Sequence, residues 1–305
     1  MSSKSTIEVR AGLQLPHLAE EHRLNPVLAS ALKKAVSVPN ARKGPYWSPD
    51  FFDLNNSDTF SGADEKQKVE ILRLCSDSLL HEAYFIEKSG MAYAAKMSLL
   101  SQTTEERMLY SMFASDEASH FELIRSFIGR PPENEAENPF LLLLSNLIEN
   151  GDRDTLVFVI QIVLEGWGIT HYRKIADGCD DQDLKTVFEA ILRDEARHHG
   201  SGLVLFENKQ LSVESKNQIV EVMTQFLCMV QMGPQSVVSA VESVLGPLEQ
   251  SDKVRLFKEL NAQGHSEKRL NELRQLMVKA KVAGVLEELD QKNMFVAFTA
   301  EECAA

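Results

Sequence analysis

The chain contains an internal repeat that pairs acidic residues with a histidine at a fixed offset. Asp116–His120 (DEASH) and Asp194–His198 (DEARH) match, and they are 78 residues apart (116 to 194). The same shift places Glu87 on Glu165, so each copy has a glutamate followed 30 residues later (87 to 117, 165 to 195) by a Glu-x-x-His motif. A repeat of this kind predicts a duplicated structural unit that positions its polar residues twice in the same way.

The spacing within each motif predicts a pair of metal ligands on one helix. Residues three apart on an α-helix lie on the same face about one turn apart, so Glu117 with His120, and Glu195 with His198, can bind the same ion. The residues before each repeat glutamate are largely apolar, and an unpaired carboxylate among them would cost several kcal/mol. Two helical hairpins packed face to face would direct four carboxylates and two imidazoles into one core, which is the ligand set of a carboxylate-bridged di-iron or di-manganese centre.

The alternative to a metal site is a set of solvated helix faces with accidental spacing. With 8 histidines and 45 acidic residues in 305 positions, about one histidine should have an acid three residues before it by chance. Two such motifs in repeat register with two further glutamates exceed that expectation.

The predicted fold class is all-α. From about residue 64 onward apolar residues recur at helical spacing, without continuous β-branched alternation. Three parts are predicted in one compact domain: an irregular N-terminal arm (1–64), a di-metal four-helix bundle (65–208), and additional helices and a tail packed on the bundle (209–305). Helices are predicted over 65–100, 104–129, 139–150, 152–177, 181–208, 213–245 and 251–283, with a short helical stretch near 25–36.

Local signals predict several helix ends. Thr103 with Glu106 makes a capping box at the start of the second long helix, and Ser212 or Ser215 is expected to cap the sixth. The segment Arg130–Pro139 (RPPENEAENP) predicts a crossover linker, because its paired prolines stop a helix and its acidic run resists burial. Gly233-Pro234 is expected to kink the helix predicted over 213–245.

The order Glu, Glu-x-x-His, Glu, Glu-x-x-His resembles the ferritin-like di-iron carboxylate superfamily over about residues 65–208. The D-E-x-x-H form is similar to the oxygenase and desaturase branches of that superfamily. The resemblance implies a ferritin-like four-helix bundle with these metal-binding and catalytic residues: Glu87, Glu117, His120, Glu165, Glu195 and His198. It also implies that Asp116 and Asp194 accept the second ring N–H of a histidine ligand and fix its orientation. Arg197 belongs to the same outer group, and Ser119 at the equivalent position predicts that the two copies differ there.

Other titratable residues near the motifs are weaker candidates. Glu82 lies five residues before Glu87, on another helical face, and its spacing to the next motif breaks the 30-residue period, so a structural role is predicted. His171 and His199 are expected to have packing or surface roles in preference to binding metal as a seventh ligand.

Four residues are candidates for a cavity beside the metals. Gly90 and Gly168 each lie three residues after a repeat glutamate, where a missing side chain leaves room for dioxygen or substrate, or allows close helix contact. Phe113 and Phe121 lie one turn on either side of Glu117 and would line a cavity or belong to the core. Both alternatives stay open for each pair.

The ligand types indicate the chemistry of the centre. Histidine and carboxylate without thiolate favour iron or manganese, so the predicted cofactors are two iron ions, with manganese as the alternative metal and dioxygen as co-substrate. We expect a non-haem di-iron oxygenase or oxidase acting on an apolar or amphipathic small molecule, because the helices beyond the bundle could wall a substrate cavity. A ferroxidase or rubrerythrin-like peroxide-scavenging iron protein is the second hypothesis, and a metal-free helical scaffold is the third.

Charge and composition restrict the partners. Net charge is −13, which disfavours nucleic acid as a partner. The segment Asp252–Lys281 has eight basic and four acidic residues and could dock an acidic ferredoxin-type electron donor, although a solvated helix face is the more expected interpretation. The substrate and the electron donor are left open by the sequence, and an oligomer is compatible with it.

The remaining composition predicts an ordinary soluble chain. Four cysteines without a C-x-x-C motif are expected to be free thiols. The first residues have no apolar leader, and we expect no membrane span and a cytoplasmic location, since no run approaches the ~20 apolar residues that a span requires.

Overall fold

The computed structural model describes residues 11–13, 15–19, 21–32, 44–129 and 138–305, and these residues are helical without a β-strand. One isolated antiparallel bridge joins Trp47 to Cys179. Contacts divide the chain into two compact units that alternate along the sequence. The first unit consists of the described residues within 1–41 and 81–151. The second unit consists of the described residues within 42–80 and 152–305. The predicted all-α class is confirmed, and the division at residues 64 and 208 stays a prediction.

The helices are numbered here in chain order. They are α1 (Leu24–Ala31), α2 (Asp58–Ser61), α3 (Glu65–Leu100), α4 (Thr104–Arg125), α5 (Pro139–Asn150), α6 (Arg153–Leu156), α7 (Glu165–Gly178), α8 (Gln182–Phe206), α9 (Val213–Gln231), α10 (Gln235–Leu245), α11 (Gln250–Glu259), α12 (Ala262–Lys279), α13 (Ala283–Gln291) and α14 (Ala300–Cys303). Two 3₁₀ turns, Pro49–Phe52 and Leu54–Asn56, precede α2, and the segment Val157–Leu164 between α6 and α7 is π-helical. The predicted bounds agree for α3 and α5, whereas α4 and α8 end earlier than predicted.

Polar side chains fix the starts of α4 and α9. The Thr103 hydroxyl accepts the backbone N–H of Glu106 at 3.1 Å, and the Glu106 carboxylate accepts the N–H of Gln102 at 2.9 Å. The predicted capping box therefore forms with Gln102 in place of Thr103 as its second backbone donor. At α9 the Ser212 hydroxyl accepts the N–H of Ser215 at 3.0 Å, as one of the two predicted alternatives requires.

Two of the predicted helices are interrupted, and each forms two separate helices in the structure. The prediction over 213–245 divides at Gly233-Pro234 into α9 and α10, because Gly233 adopts a φ of +73° and Pro234 cannot donate a backbone hydrogen bond. The prediction over 251–283 divides at Asn261, whose φ of +47° is left-handed. Asparagine tolerates this conformation better than most residues, so the turn costs little.

The linker predicted over Arg130–Pro139 lies outside the described residues at 130–137. Its last residue, Pro139, opens α5 at the first helical position, where a missing N–H costs nothing. The Asn138 side chain caps this helix by accepting the N–H of Phe140 at 3.0 Å. The helix predicted near 25–36 is represented by α1, which ends at Ala31. Residues 33–36 of that prediction lie outside the described residues.

The C-terminal helices form a hydrophobic core within the second unit. This core joins the beginning of α3 to α10, α11 and α14 through buried residues such as Ile71, Val241, Phe257 and Cys303. Phe298, in the C-terminal tail, packs against the same core. α9 and α12 contact the π-helical segment and so bury the chain just before Glu165.

The continuous helical stretch Arg153–Gly178 is long and apolar enough to cross a membrane by length and composition. Of its most apolar 18 residues, 56% are buried inside the protein. Core helices of soluble proteins meet the same criterion, and this stretch contains the π-helical segment and a predicted ligand.

Lys96 joins α3 to the end of α5 within the first unit. Its ammonium group donates hydrogen bonds to the carbonyl oxygens of Ile148, Glu149 and Gly151 at 2.6, 2.8 and 2.9 Å. The last carbonyls of a helix have no partner within that helix, and a positive charge also interacts favourably with the helix dipole there.

Replacing Lys96 by Met should therefore lower the free energy of unfolding by about 1–3 kcal/mol, since three carbonyls lose a charged donor. Urea denaturation measures the change, and Lys66→Met, at an exposed position in the first turn of α3, is the control. Equal denaturation midpoints for the two variants would contradict the anchoring role.

Candidate metal centre

Glu117 and His120 belong to the inward-facing stripe of α4. The buried residues of this helix follow helical spacing: Tyr110, Phe113, Glu117, His120 and Ile124. The two predicted ligands thus occupy positions that an apolar side chain would normally fill. Glu87 reaches the same place from α3.

These three residues, which we call the first half-site, lie close together in the first unit. Glu87, Glu117 and His120 are 1%, 6% and 2% exposed. The Nδ1 atom of His120 lies 3.2 Å from a carboxylate oxygen of Glu87. Each residue offers a ligand atom, and these atoms all lie within 4.8 Å of one another. A single ion could therefore be held by two carboxylates and one imidazole.

Gly90 makes room for the Glu117 carboxylate. A Cβ atom built on Gly90 would lie 2.1 Å from Glu117 Oε2 and 2.5 Å from its carboxylate carbon. Any larger residue would have to displace the carboxylate. The sequence left two roles open for Gly90, room for dioxygen or substrate and close contact between helices. The structure favours close contact, and the side chain that fills the space, Glu117, is itself a predicted ligand.

The electrostatics of the first half-site disfavour a charged Glu117 when no cation is bound. Burial is the main cause that raises the pKa of this carboxyl well above 4.5, and the Glu87 charge raises it further, while His120 acts in the opposite direction. A bound cation would reverse this balance, because it compensates the buried negative charge.

The second unit contains an equivalent group, which we call the second half-site. Glu165 is the first residue of α7, and Glu195 and His198 lie in α8. Their ligand atoms also lie within 4.8 Å of one another, with 3.8 Å between His198 Nδ1 and a carboxylate oxygen of Glu195. Glu195 and His198 continue the buried stripe of α8 that includes Phe188 and Ile191. Glu165 is only half-buried, so this half-site is the more accessible one.

The π-helical segment before Glu165 supports the second half-site through Gln161, which the sequence analysis missed. The side chain of Gln161 is fully buried, and its amide donates to the backbone oxygen of His198 at 2.7 Å and to the hydroxyl of Ser201 at 2.8 Å. Gly202 allows this approach, because a Cβ there would lie 2.8 Å from Gln161 Cγ. A polar residue inside the apolar run VFVIQIVL was the available signal.

His199 contacts the same segment from α8. Its Nδ1 atom lies 3.2 Å from the backbone oxygen of Gln161, and burial lowers its pKa below 6.5. Gly166 accommodates the imidazole, since a Cβ there would lie 2.7 Å from His199 Cε1. π-helical geometry leaves backbone carbonyls available to such donors, and it is frequent at functional sites.

The outer polar residues differ between the two half-sites. Arg197 donates to Asp194 at 2.9 Å in a partly exposed ion pair, whereas the equivalent Ser119 donates to the backbone oxygen of Ser115 at 2.9 Å. Asp116 contributes to the raised pKa of Glu117 through its charge. The predicted contact of Asp116 and Asp194 with the histidine ligands stays a prediction.

The predicted cavity residues are divided between core and open space. Phe113 is buried and packs edge-on against Tyr110, with ring centroids 5.7 Å apart. Phe121 is half-buried against Tyr84 at 4.8 Å. A Cβ on Gly168 would meet no atom of the described residues within 4 Å, so open space lies beside this glycine of the second unit.

Two of the weaker candidates lie apart from both groups. Glu82 is partly exposed, and neither group of candidate metal ligands among the described residues includes it. His171 stacks on Trp167 with ring centroids 5.2 Å apart, which is a packing contact.

The residues present fit metal ions of the kind that the repeat implies. Both half-sites offer two carboxylates and one histidine without a thiolate, a donor set suited to iron or manganese. The fit is supported independently by Gly90, because the space it leaves is occupied by the carboxylate of Glu117, a candidate ligand.

Replacing Gly90 by Ala should disrupt the first half-site, because the new methyl group would overlap the Glu117 carboxylate. We expect Co(II) binding at this half-site to weaken by roughly tenfold or more, as for residues that orient metal ligands. Gly168→Ala is the matched control, since its methyl group would meet nothing within 4 Å. Optical titration with Co(II) distinguishes them, and equal affinities would show that Gly90 has no role in positioning Glu117.

The raised pKa of Glu117 predicts the pH dependence of the metal-free protein. A carboxyl whose pKa is higher in the folded state than in the unfolded state stabilises the fold at low pH, and that contribution is lost as pH rises through the folded-state pKa. Thermal unfolding should therefore show stability falling as pH rises from about 4.5, the ordinary value, and Glu117→Gln should remove this part of the slope. Excess Mn(II) should reverse it, because the metal binds the deprotonated carboxylate and so gains affinity as pH rises. Identical slopes for the metal-free wild type and the Gln variant would contradict the assignment.

The comparisons with known proteins agree with this geometry. Residues 76–202, less than half of the chain, match the family described as "Ferritin-like domain", and this range includes all six predicted ligands. No curated protein and no solved structure matches the chain. The all-α fold and the family match together show that the chain contains a ferritin-like domain, whose two half-sites are compatible with metal binding.

Proposed function

We propose that the chain is a di-iron oxidoreductase in which the two half-sites bind two iron ions. The observation that carries the proposal is the repetition of one group of two carboxylates and an imidazole: Glu87, Glu117 and His120 in the first unit, and Glu165, Glu195 and His198 in the second. The Ferritin-like domain match supports it, because that match covers both repeats. Manganese is the alternative metal, since the same donors suit it.

We further propose that the reaction is an oxygenation or oxidation that uses dioxygen. When bound, the iron pair would supply the redox chemistry that activates dioxygen, which no side chain provides alone. The protein would supply dry surroundings: the residues before Glu165 are almost all fully buried, and so are Phe113 and Tyr110 beside Glu117. Such surroundings strengthen electrostatic interactions and exclude competing water.

Proton balance is part of the proposed role of Glu117. Because burial and Glu87 raise the pKa of this carboxyl, iron binding must displace a proton from it for the carboxylate to act as a ligand. The space beside Gly90 then accommodates the carboxylate. In the second unit, Gln161 fixes the backbone of His198 through a 2.7 Å hydrogen bond and so limits rotation of the ligand-bearing helix.

Small molecules are proposed to approach the second half-site. Gly168 lies one turn after Glu165 on α7, and residues 164–169 are partly exposed, with open space at the glycine. Trp167 packs edge-on against Phe226 of α9, with ring centroids 5.9 Å apart, which gives this approach an apolar border. An apolar or amphipathic substrate fits such a border better than a charged one.

The proposed electron donor receives limited support from the basic helices. Within Asp252–Lys281, several basic residues have acidic partners, among them Lys253 with Glu242, Arg255 with Asp252, Lys258 with Glu301, and Arg274 with Asp290. These pairs reduce the charge available to attract an acidic ferredoxin. We therefore propose a one-electron reductant as the donor and assign no docking surface to it.

Anaerobic loading with Fe(II), followed by stopped-flow mixing with dioxygen, tests the proposal. The wild type and Glu82→Gln should bind two irons per chain, whereas Glu117→Ala and His198→Ala should each lose at least one, because a ligand is removed from one half-site. Metal content measured by elemental analysis gives the stoichiometry. Two irons per chain in both Ala variants would refute the ligand assignment.

The same samples separate the oxygenase from an iron-oxidising protein. With excess reductant and a panel of apolar substrates, an oxygenase consumes dioxygen beyond the amount needed to oxidise its iron, and it yields an oxidised organic product. Dioxygen or peroxide consumption that follows added Fe(II) alone would instead indicate a ferroxidase or peroxide scavenger. Unchanged stability and no metal uptake would indicate a helical scaffold.

A further inference from the structure

His17, in the segment before α1, forms a hydrogen bond with a buried tyrosine of α3. The Nε2 atom of His17 lies 2.6 Å from the hydroxyl oxygen of Tyr84. Tyr84 is 1% exposed, whereas His17 lies on the exposed stretch 15–19. The pair therefore connects a buried phenol to solvent through an imidazole, all within the first unit.

Several contacts hold this pair in place. The His17 ring stacks on Phe121 at an interplanar angle of 10°, with centroids 6.0 Å apart, and the Tyr84 and Phe121 centroids are 4.8 Å apart. The ammonium group of Lys88 donates to the backbone oxygen of Leu15 at 3.3 Å and lies 5.8 Å from the centre of the Tyr84 ring. Such a set of contacts fixes the phenol and the imidazole with respect to each other.

The pair lies next to the first half-site. Tyr84 precedes Glu87 by three residues on α3, which places them on one helix face about one turn apart. Phe121, which contacts both rings of the pair, directly follows His120 on α4. An electron leaving Tyr84 toward the half-site would therefore travel about one helical turn through packed side chains.

The surroundings of His17 favour its neutral form. Partial burial against Tyr84 and Phe121 lowers the pKa of this imidazole below 6.5, and the nearby charges of Arg125 and Lys88 lower it further, against the opposing effect of Glu122. A neutral imidazole with its proton on Nδ1 offers Nε2 as an acceptor for the phenolic proton.

We propose that Tyr84 and His17 form a proton-coupled redox pair beside the first half-site. Tyr84 gives one electron to a one-electron oxidant, its O–H bond breaks, and the proton moves to Nε2 of His17, which leaves a neutral tyrosyl radical and an imidazolium. In the protein this inference rests on the proposed function, which supplies the oxidant as the oxidised metal centre. A reductant at the surface returns the electron, and the imidazolium returns the proton.

Flash photolysis tests the pair independently of iron. The 305-residue chain, without added metal, is mixed with a ruthenium photosensitiser and an electron acceptor, and the radical is followed by optical absorption and electron paramagnetic resonance. All five tyrosines are buried, so variants assign the signal. Tyr84→Phe should lose it. His17→Gln retains a hydrogen-bonding side chain but removes the base, and it should slow radical formation by roughly 100-fold, the contribution of one positioned base.

Tyr110→Phe is the matched control, because it removes another buried tyrosine of the first unit and should leave the signal unchanged. Circular dichroism verifies that the variants fold, and His17→Gln, at an exposed residue, keeps the test valid if Tyr84→Phe unfolds. A wild-type yield and rate in Tyr84→Phe or in His17→Gln would overturn the proposal, as would the absence of a radical in the wild type. Failure to bind iron would refute the proposed function and leave this result standing.

Discussion

The burial of carboxylates and imidazoles within apolar helix faces is the constraint on which the ferritin-like domain depends. Glu117 and His120 replace apolar residues in the buried stripe of α4, and Glu195 and His198 do so in α8. Desolvation makes such positions unfavourable for a charge unless something compensates it. Burial accordingly raises the pKa of Glu117, and the proposed cation would compensate the buried charge.

The two half-sites have the same candidate ligands but different supports. In the first, the space at Gly90 is filled by the Glu117 carboxylate, so this candidate ligand itself completes the packing. In the second, Glu165 is half-buried, Gly168 faces open space, and the helix that carries Glu195 and His198 is fixed by Gln161 from a π-helical segment. Repetition of a ligand pattern therefore does not imply repetition of its surroundings, as Ser119 and Arg197 also show.

The helical class and the clustering of the candidate ligands could be predicted from the sequence because both depend on local spacing. The 30-residue period favoured Glu87 over Glu82, and the structure places Glu87 in the buried group and Glu82 outside it. Helix breaks were harder to predict, since Asn261 interrupts an apolar period that continues on both sides and its left-handed backbone leaves no periodic signal. The π-helical segment was missed for a similar reason: an almost uniformly apolar run has no face from which a change of helix period can be read.

The asymmetry is consistent with a division of access between the two half-sites of the proposed centre. A substrate needs an opening, and the partly exposed start of α7 around Gly168 provides space for one in the second unit. A proton and an electron need only hydrogen-bonded or packed groups, and Tyr84 with His17 provides these in the first unit while the phenol stays buried. If both proposals hold, organic molecules would approach one half-site and protons and electrons the other, so that water would have to be admitted at only one of them.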